Sequence, residues 1–247
     1  MAGGDRLFKR LKKLAGTFRS LRYIQGLRFG VAAAVEHESV LRQLNCRSIV
    51  DVGANRGQFA LVARRCFPRA AIISFEPLPG PAKQCQRVFV KDEQVRLYEV
   101  ALAPSSGTAT IHVAAHDDSS SLLPITALQN QLFPGTSEVR QETVRTGPLR
   151  EFVRPEEIRS PALLKIDVQG YELEVLKGCD EMLGRFGFVY VECSFVELYA
   201  GQANVSEVTD FLRKRGFECR GVYNVSYSRA GQAIQADFLF EARHAKS

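Results

Sequence analysis

Four carboxylates stand at the ends of short apolar runs that predict buried strands. Asp51, Glu76, Asp167 and Glu192 each close or follow such a run. In an open parallel sheet a ligand binds outside the carboxyl ends of the strands, so we expect Asp51, Glu76 and Asp167 to line one crevice. Carboxylates at this place suit a cationic or amino-bearing ligand better than a phosphate.

A glycine turn follows the first of these acids. Gly53 and Gly57 come after the strand, and from Gln58 onward the apolar residues take helical spacing. Glycine lets a backbone approach a ligand closely, and a helix start offers unpaired N–H groups. The chain has neither G-x-G-x-x-G after this strand nor G-x-x-x-x-G-K-[ST] anywhere, the dinucleotide and phosphate-loop signatures. The turn therefore predicts a nucleotide-type α/β unit that lacks both of these loops.

The other acids occupy comparable positions. Glu76 follows the second predicted strand roughly 20 residues after the turn, where a carboxylate accepts hydrogen bonds from two ribose hydroxyls. Asp167 precedes another glycine turn and a helix, and Glu192 ends the fifth predicted strand. Residues 217–222 and 236–241 alternate and predict an antiparallel pair at the end of the sheet.

These stretches resemble one family. D-V-G-A-N-x-G-x-F at 51–59 resembles motif I of the class I S-adenosylmethionine methyltransferases, in the form typical of the FkbM family of O-methyltransferases. F-E-P-x-P at 75–79, L-K-I-D-V-x-G-x-E-x-x-x-L-K-G at 164–178 and D-F-L-F at 237–240 also resemble that family. The resemblance covers residues 45–243. Gln169 stands where many members have Glu, which removes a charge and weakens any metal site, so no metal ligand is predicted.

The resemblance implies a fold, a cofactor and a reaction. The fold is α/β, a class I methyltransferase (Rossmann-like) domain with a mostly parallel sheet, helices on both faces and an antiparallel C-terminal strand pair. The reaction is methyl transfer from S-adenosyl-L-methionine to a hydroxyl of a small molecule or glycan, such as a sugar of a glycolipid or polysaccharide. The residues predicted to bind the cofactor are Asp51, Gly53, Ala54, Asn55, Gly57, Phe59, Glu76, Pro77, Ala101, Leu102, Asp167 and Gln169.

An acceptor alcohol must lose its proton, and a positioned base contributes about 10²–10⁴ in rate. We expect Asp167 to be this base, with Glu192 as the second choice and His112 or His116 as the third. A divalent ion held by Asp167 and Glu192 stays open as an alternative, because hard cations take oxygen ligands.

Residues 104–147 interrupt the repeating strand–helix pattern. Residues 108–114 and 138–146 alternate like strands, and a polar segment lies between them. Insertions of this length are usually functional, so we predict a substrate-binding element with Ser120 and Ser121 as contacts. A solvated polar loop is the alternative.

The positive charge is concentrated at the N-terminus. The net charge is +6, but residues 1–30 hold eight Lys and Arg against one Asp, so the remaining residues sum to −1. Binding of nucleic acid is not expected, because the body is not basic. Residues 5–28 predict a basic amphipathic helix that packs on the domain, contacts an anionic membrane surface or binds a partner protein. Residues 31–44 predict a second helix.

These features define the expected domains and location. Residues 1–44 form a helical extension and residues 45–247 the methyltransferase domain. With no apolar run of 18 residues, no signal peptide and six cysteines without a C-x-x-C pair, we expect a cytoplasmic protein. Peripheral contact with the inner face of the membrane stays open as an alternative to packing of residues 5–28 on the domain. The alternatives are a nicotinamide-dependent oxidoreductase and a non-catalytic membrane-surface protein that retains the fold.

Overall fold

The computed structural model describes residues 20–243. The strands in this part of the chain are β1 (Ser48–Val52), β2 (Ala71–Phe75), β3 (Val95–Tyr98), β4 (Ala101–Leu102), β5 (Gly107–Ala114), β6 (Glu138–Gly147), β7 (Ala162–Ile166), β8 (Phe188–Ser194), β9 (Phe217–Tyr227) and β10 (Ala233–Ala242). The α-helices are α1 (Leu21–Arg28), α2 (Glu38–Leu41), α3 (Gln58–Cys66), α4 (Pro79–Val88), α5 (Ala127–Leu132), α6 (Glu172–Gly178) and α7 (Val205–Lys214).

A seven-stranded sheet in the order β3-β2-β1-β7-β8-β10-β9 forms the main layer. β1 pairs in parallel with both β2 and β7, whereas β10 pairs antiparallel with β8 and with β9. The predicted α/β fold, with a mostly parallel sheet and an antiparallel C-terminal pair, is confirmed.

Hydrophobic packing covers both faces of this sheet. All five residues of β1 are buried. Val50 and Val52 pack in a core that includes Leu176 of α6, while Ile49 packs in a second core with Phe59 of α3. Burial on two faces explains why the central strands are continuous apolar runs rather than alternating ones.

The N-terminal segment follows the prediction only in part. The predicted helix over 5–28 is present as α1 from Leu21, and residues 5–19 lie outside the described part of the chain. The continuous second helix predicted over 31–44 is wrong. The structure has a 3-10 turn, Val35–His37, followed by the single turn of α2. The N–H of Ala34 donates to the carbonyl of Gln58, so this segment bonds to the start of α3 instead of continuing a helix.

The insertion forms a small sheet of its own in the order β4-β6-β5. β5 and β6 pair antiparallel, as the alternation of residues 108–114 and 138–146 predicted, and β4 pairs in parallel with β6. Between β5 and β6 the chain forms the 3-10 turn Asp117–Ser119 and then α5. The segment between β5 and β6 contacts the turn after β7, where the Ser121 hydroxyl donates to the carbonyl of Gln169.

Candidate active site

A cavity of about 260 Å³ opens at the carboxyl ends of β1, β2 and β7. The glycine turn after β1, the insertion and the Val35–His37 segment complete its wall. The predicted site residues found on this wall are Gly53, Ala54, Asn55, Phe59, Glu76, Pro77, Ala101, Leu102, Ser120, Ser121, Asp167 and Gln169. The topology therefore brings the motifs of four separate chain segments to one place.

Three predicted residues lie off this wall. Asp51 is completely buried, so the expectation that it lines the crevice is wrong. Gly57 has φ +88°, and a Cβ there would lie 2.8 Å from the ring of Phe89. Packing against Phe89 therefore explains why a glycine is needed at this position. Glu192 lies next to the wall, where two glutamine side chains bind it. These positions do not support direct ligand contact by the three residues.

Gly53 allows β1 and β7 to approach each other. It has φ +79°, and a Cβ at this position would fall 1.8 Å from the carbonyl oxygen of Asp167. The N–H groups of Gly53 and Ala54 both donate to the carbonyl of Phe75, each at 3.0 Å. The first glycine of the turn is thus required by the closeness of neighbouring strand ends as well as by its left-handed backbone.

The Glu76 carboxylate is anchored by two backbone donors. The N–H of Asn55 donates to Oε2 and the N–H of Leu78 donates to Oε1, both at 2.9 Å. Burial raises the pKa of Glu76 to about 7, against the opposing effect of these two N–H groups. Each carboxylate oxygen has a second lone pair that such bonds leave available. Ala101 and Leu102 supply apolar surface to the same cavity.

A buried lysine, Lys165, connects the two strand-end aspartates. Its Nζ lies 3.5 Å from Oδ1 of Asp51 and 3.5 Å from Oδ2 of Asp167. Burial acts to lower the pKa of Lys165, but the carboxylates, Asp167 first, raise it above its ordinary value, so the ammonium stays charged. Burial raises the pKa of Asp51, and Lys165 opposes that shift. Asp51 thus has no exposed surface at the cavity and pairs with Lys165, which lines it.

Gln169 bridges the two candidate bases. Its Nε2 donates to Oδ1 of Asp167 at 2.7 Å and to Oε2 of Glu192 at 3.1 Å. Its own Oε1 accepts from the Tyr199 hydroxyl at 2.9 Å, and its φ is +58°. Gln235 donates to the other oxygen of Glu192 at 2.8 Å. Burial, and then the charge of Asp167, raises the pKa of Glu192 well above its ordinary value.

This bridge also bears on the metal alternative. An amide N–H donor occupies the space between the carboxylates of Asp167 and Glu192, where a cation would have to bind both of them. Within residues 20–243, no group of three or more His, Cys, Asp and Glu side chains is arranged to hold a metal ion.

The insertion is bonded to the rest of the site through its serine segment. The Ser121 hydroxyl donates to the carbonyl of Gln169 at 2.6 Å. The Tyr199 hydroxyl shares its one proton between the carbonyl of Ser119 at 3.1 Å and Oε1 of Gln169 at 2.9 Å. The Ser120 hydroxyl accepts from a backbone N–H of β5 at 3.1 Å. Arg56, in the glycine turn, forms an ion pair with Asp117. The insertion is therefore a fixed wall of the cavity.

Several charged residues and one histidine on the cavity wall were not predicted from the sequence. Lys165 stood inside the quoted motif, and a charged residue within an apolar strand was the available signal. Asp117 and Asp118 lie in the polar segment between β5 and β6, in which only the two serines were predicted as contacts. Glu36 and His37 also line the cavity, although they lie in the N-terminal segment, where no motif marked them.

The insertion histidines are not on the cavity wall. Nδ1 of His112 lies 2.7 Å from the Glu138 carboxylate, and the His116 ring packs against Gly135. Neither residue is among those that line the cavity.

Known proteins similar to this chain include methyltransferases. The family model described as the Methyltransferase FkbM domain matches residues 51–219. The chain is 28% identical over 202 residues to the 2-O-methyltransferase NoeI of Sinorhizobium fredii, covering 78% of this chain and 83% of the relative. It is 32% identical over 166 residues to the hexuronic acid methyltransferase AglP of Haloferax volcanii, covering 66% and 59%.

The chain also aligns with a solved methyltransferase structure. A precorrin-6y C5,15-methyltransferase from Geobacter metallireducens aligns with a TM-score of 0.47 at 12% identity, over 86% of this chain and 93% of that one. Because the family model matches more than half of the chain, the chain belongs to the FkbM family of methyltransferases. It is an S-adenosylmethionine-dependent O-methyltransferase.

Proposed function

We propose that the protein methylates a hydroxyl of a sugar, in a glycan or a glycolipid, and that Asp167 accepts the proton of this hydroxyl. The observation that carries the proposal is the Asp167 carboxylate, which lines the cavity with 33% of its side chain exposed beside the buried Lys165 ammonium. The names of two relatives, a 2-O-methyltransferase and a hexuronic acid methyltransferase, support a sugar acceptor.

The cavity suits the adenosine part of S-adenosylmethionine at the β2 end. Glu76 is 5% exposed, with one lone pair of each oxygen left for the two ribose hydroxyls. Leu78, Ala101 and Leu102 offer apolar surface for the adenine ring beside that carboxylate. A polar anchor within an apolar wall is the usual composition of a cofactor site.

The opposite end of the cavity suits the methionyl part. Lys165 lies on the wall there, and its Nζ donates to the carbonyl of Gly53 at 3.4 Å, so the glycine turn is beside the ammonium. An ammonium and a carboxylate can both find opposite charge in this region, because Lys165 and Asp167 lie 3.5 Å apart. When bound, S-adenosylmethionine supplies an electrophilic methyl group on a sulfonium cation.

Asp167 and Glu192 take different roles in this proposal. Asp167 is exposed to the cavity, so it would accept the proton while the hydroxyl oxygen takes the methyl group and the bond between that methyl and the sulfur breaks. Glu192 is buried, and its raised pKa favours the neutral form. We assign it a positioning role, since it binds the Gln169 amide that orients Asp167.

The insertion supplies the acceptor side of the cavity. Ser120 and Ser121 face the cavity, although their hydroxyls already have protein partners. Asp117 and Asp118 add carboxylate oxygens to the same wall. Carboxylate oxygens accept hydrogen bonds, which suits a ligand with several hydroxyl groups.

The experiment uses S-adenosylmethionine with a labelled methyl group and a panel of methyl glycosides that includes hexuronic acids. We expect label in an ether on a ring hydroxyl. Asp167→Asn should lower kcat about 10²- to 10⁴-fold at saturating donor, because it removes the base. Asp210→Asn, at an exposed carboxylate paired with Arg213, is the matched control and should leave kcat unchanged. Label on nitrogen or on a carboxylate, or full kcat in the Asp167 variant, would overturn the proposal.

We further propose a lipid-linked acceptor at an anionic membrane surface. Arg28, Lys83 and Arg87 surround a surface groove between α1 and α4, and within residues 20–243 none of them forms an ion pair. Leu27 and Phe29, each 38% exposed, lie beside them. Cations next to exposed apolar side chains are typical of interfacial binding. In the described part of the chain no helix is long and apolar enough to cross a membrane.

Vesicle co-sedimentation tests this surface. We expect binding to vesicles that contain phosphatidylglycerol and not to pure phosphatidylcholine. Binding should weaken when Arg28, Lys83 and Arg87 are all replaced by Glu, and also when residues 1–19 are removed. Equal binding of all variants would refute the membrane proposal without affecting the proposed reaction.

A further inference from the structure

His37 on the cavity wall is bonded to a buried polar cluster, which we call the Tyr190 cluster (Tyr190, Asn224 and Asp237). Nδ1 of His37 lies 3.1 Å from the Tyr190 hydroxyl and 3.5 Å from Oδ2 of Asp237. Asn224 Nδ2 donates to the same Asp237 oxygen at 2.7 Å. The His37 side chain is 13% exposed. All of its hydrogen bonds within residues 20–243 use Nδ1.

The donors of this cluster determine the tautomer of His37. Asp237 is 8% exposed, and a buried carboxylate needs hydrogen-bond donors. The Tyr190 hydroxyl donates to it at 3.1 Å, so the Tyr190 oxygen is left as an acceptor. Asn224 Nδ2 lies 3.3 Å from His37 Nδ1, but its two hydrogens can go to Asp237 at 2.7 Å and to the Tyr190 oxygen at 3.3 Å. The second lone pair of the Tyr190 oxygen then accepts from an Nδ1–H group of His37. In this neutral tautomer Nε2 carries a lone pair, and it accepts hydrogen bonds.

The His37 segment is attached to the glycine-turn side of the cavity. The Ala34 N–H donates to the Gln58 carbonyl at 3.1 Å, which joins the segment to the first residue of α3. The His37 and Phe59 rings pack edge-on, with centroids 5.4 Å apart. Lys165 Nζ lies 5.4 Å from the centroid of the same Phe59 ring. His37 is therefore near the Lys165 part of the cavity, which suits the methionyl part of the donor, and its bonds lead to β8 and β10 and not to β2, which Glu76 follows.

We propose that His37 binds the methionyl end of S-adenosylmethionine, with Nε2 accepting a hydrogen bond from its ammonium group. This inference rests on the proposed placement of the donor. It makes the N-terminal segment, which precedes the matched region 51–219, part of the donor site. Lys165, on the same part of the wall, is the cation available to the methionyl carboxylate.

Two ligands isolate this contact. S-adenosylhomocysteine retains the ammonium and carboxylate, whereas 5′-methylthioadenosine lacks the whole amino-acid part. His37→Asn keeps a polar atom near the Nδ1 position, for the bond to Tyr190, and removes Nε2. Because a hydrogen bond to a charged group is involved, we expect about 10- to 100-fold weaker binding of S-adenosylhomocysteine by calorimetry, with the affinity for 5′-methylthioadenosine changed less than about twofold.

His112→Asn is the matched control, because His112 lies on the insertion away from the cavity wall, and it should change neither affinity. Equal loss of both affinities in the His37 variant would mean a structural role and overturn the proposal. Unchanged affinity for both ligands would also overturn it. If neither ligand binds the unmodified protein, the proposed donor site itself fails, which is a distinguishable result.

A second measurement uses the unmodified protein and does not depend on the folding of a variant. Imidazole ¹⁵N resonances should report the Nδ1–H tautomer of His37 in the free protein. The Nε2 resonance should shift with S-adenosylhomocysteine and stay in place with 5′-methylthioadenosine. An Nε2–H tautomer, or the same response to both ligands, would contradict the inference.

Discussion

Replacing Lys165 by Met tests whether the buried charges at the site depend on each other. The side chains of Lys165 and Asp51 are 6% and 0% exposed, and their ion pair spans 3.5 Å. No hydrogen bond reaches either Asp51 carboxylate oxygen from the described part of the chain. Methionine has a similar length and no charge, so Lys165→Met leaves Asp51 buried without its counter-ion. Removing one partner of a buried pair costs about 3–5 kcal/mol.

The size of the effect can be read as a melting temperature. For a domain of this size each kcal/mol shifts Tm by about 2–4 °C, so we expect Lys165→Met to lower Tm by about 6–20 °C at pH 7.5. The matched control is Lys177→Met. The Lys177 side chain is 44% exposed, and that of its partner Glu174 is 35% exposed. Exposed pairs contribute about 0–1 kcal/mol, so its Tm should fall by no more than about 4 °C.

Two further measurements separate charge from packing. The double variant Asp51→Asn with Lys165→Met buries no unpaired charge, so it should recover at least half of the lost stability. In Lys165→Met the folded-state pKa of Asp51 rises further above its unfolded value. Such a group stabilises the fold at low pH and loses that contribution as pH rises, so the deficit should shrink between pH 7.5 and pH 5.5. An effect no larger than that of Lys177→Met, or a double variant no more stable than the single one, would refute the reasoning.

Three other substitutions test the turn and the two ends of the cavity. Gly53→Ala should prevent folding or lower Tm severely, because its Cβ would meet the Asp167 carbonyl oxygen at 1.8 Å, whereas Gly80→Ala, with nothing within 4 Å, should leave Tm unchanged. Burial holds the pKa of Glu76 at about 7, so calorimetric affinity for S-adenosylhomocysteine should fall as pH decreases from 8 to 6 and the carboxyl takes up a proton. Glu76→Gln should bind more weakly at pH 8 and show no such dependence; an unchanged slope would contradict the ribose role. Gln169→Glu places a third carboxylate against the two that the amide now bridges, so methyl transfer should decrease more at pH 8 than at pH 6, and a uniform decrease would argue against this electrostatic account.

The sequence allowed the order of elements around the site to be predicted because local patterns determine it. The apolar run ending at Val52, the turn at Gly53 and the helical spacing from Gln58 correspond to β1, the turn and α3. Alternation also predicted the strands of the insertion. These features depend on neighbours within a few residues, which a single sequence displays.

Contacts between distant residues could not be predicted in the same way. Asp51 and Lys165 become neighbours only through the register of β1 with β7, which no local pattern encodes. Asp51, near the end of β1, was therefore expected to face the ligand. Its partner is instead Lys165 on β7, which neighbours β1 in the sheet. His37 escaped notice because its environment comes from Tyr190, Asn224 and Asp237, more than 150 positions further along the chain.

The attachment of the insertion has a consequence for protein engineering. Exchanging residues 104–147 between relatives is an obvious way to build chimeras with altered acceptor preference. Yet this cassette bonds to the rest of the chain at several points, among them Asp117 to Arg56, Ser121 to the Gln169 backbone, and the Ser119 carbonyl to Tyr199. A graft without Asp117 would leave Arg56, in the glycine turn after β1, without its carboxylate partner. Libraries that co-vary Arg56 and Tyr199 with the cassette should therefore yield more active chimeras than cassette exchange alone.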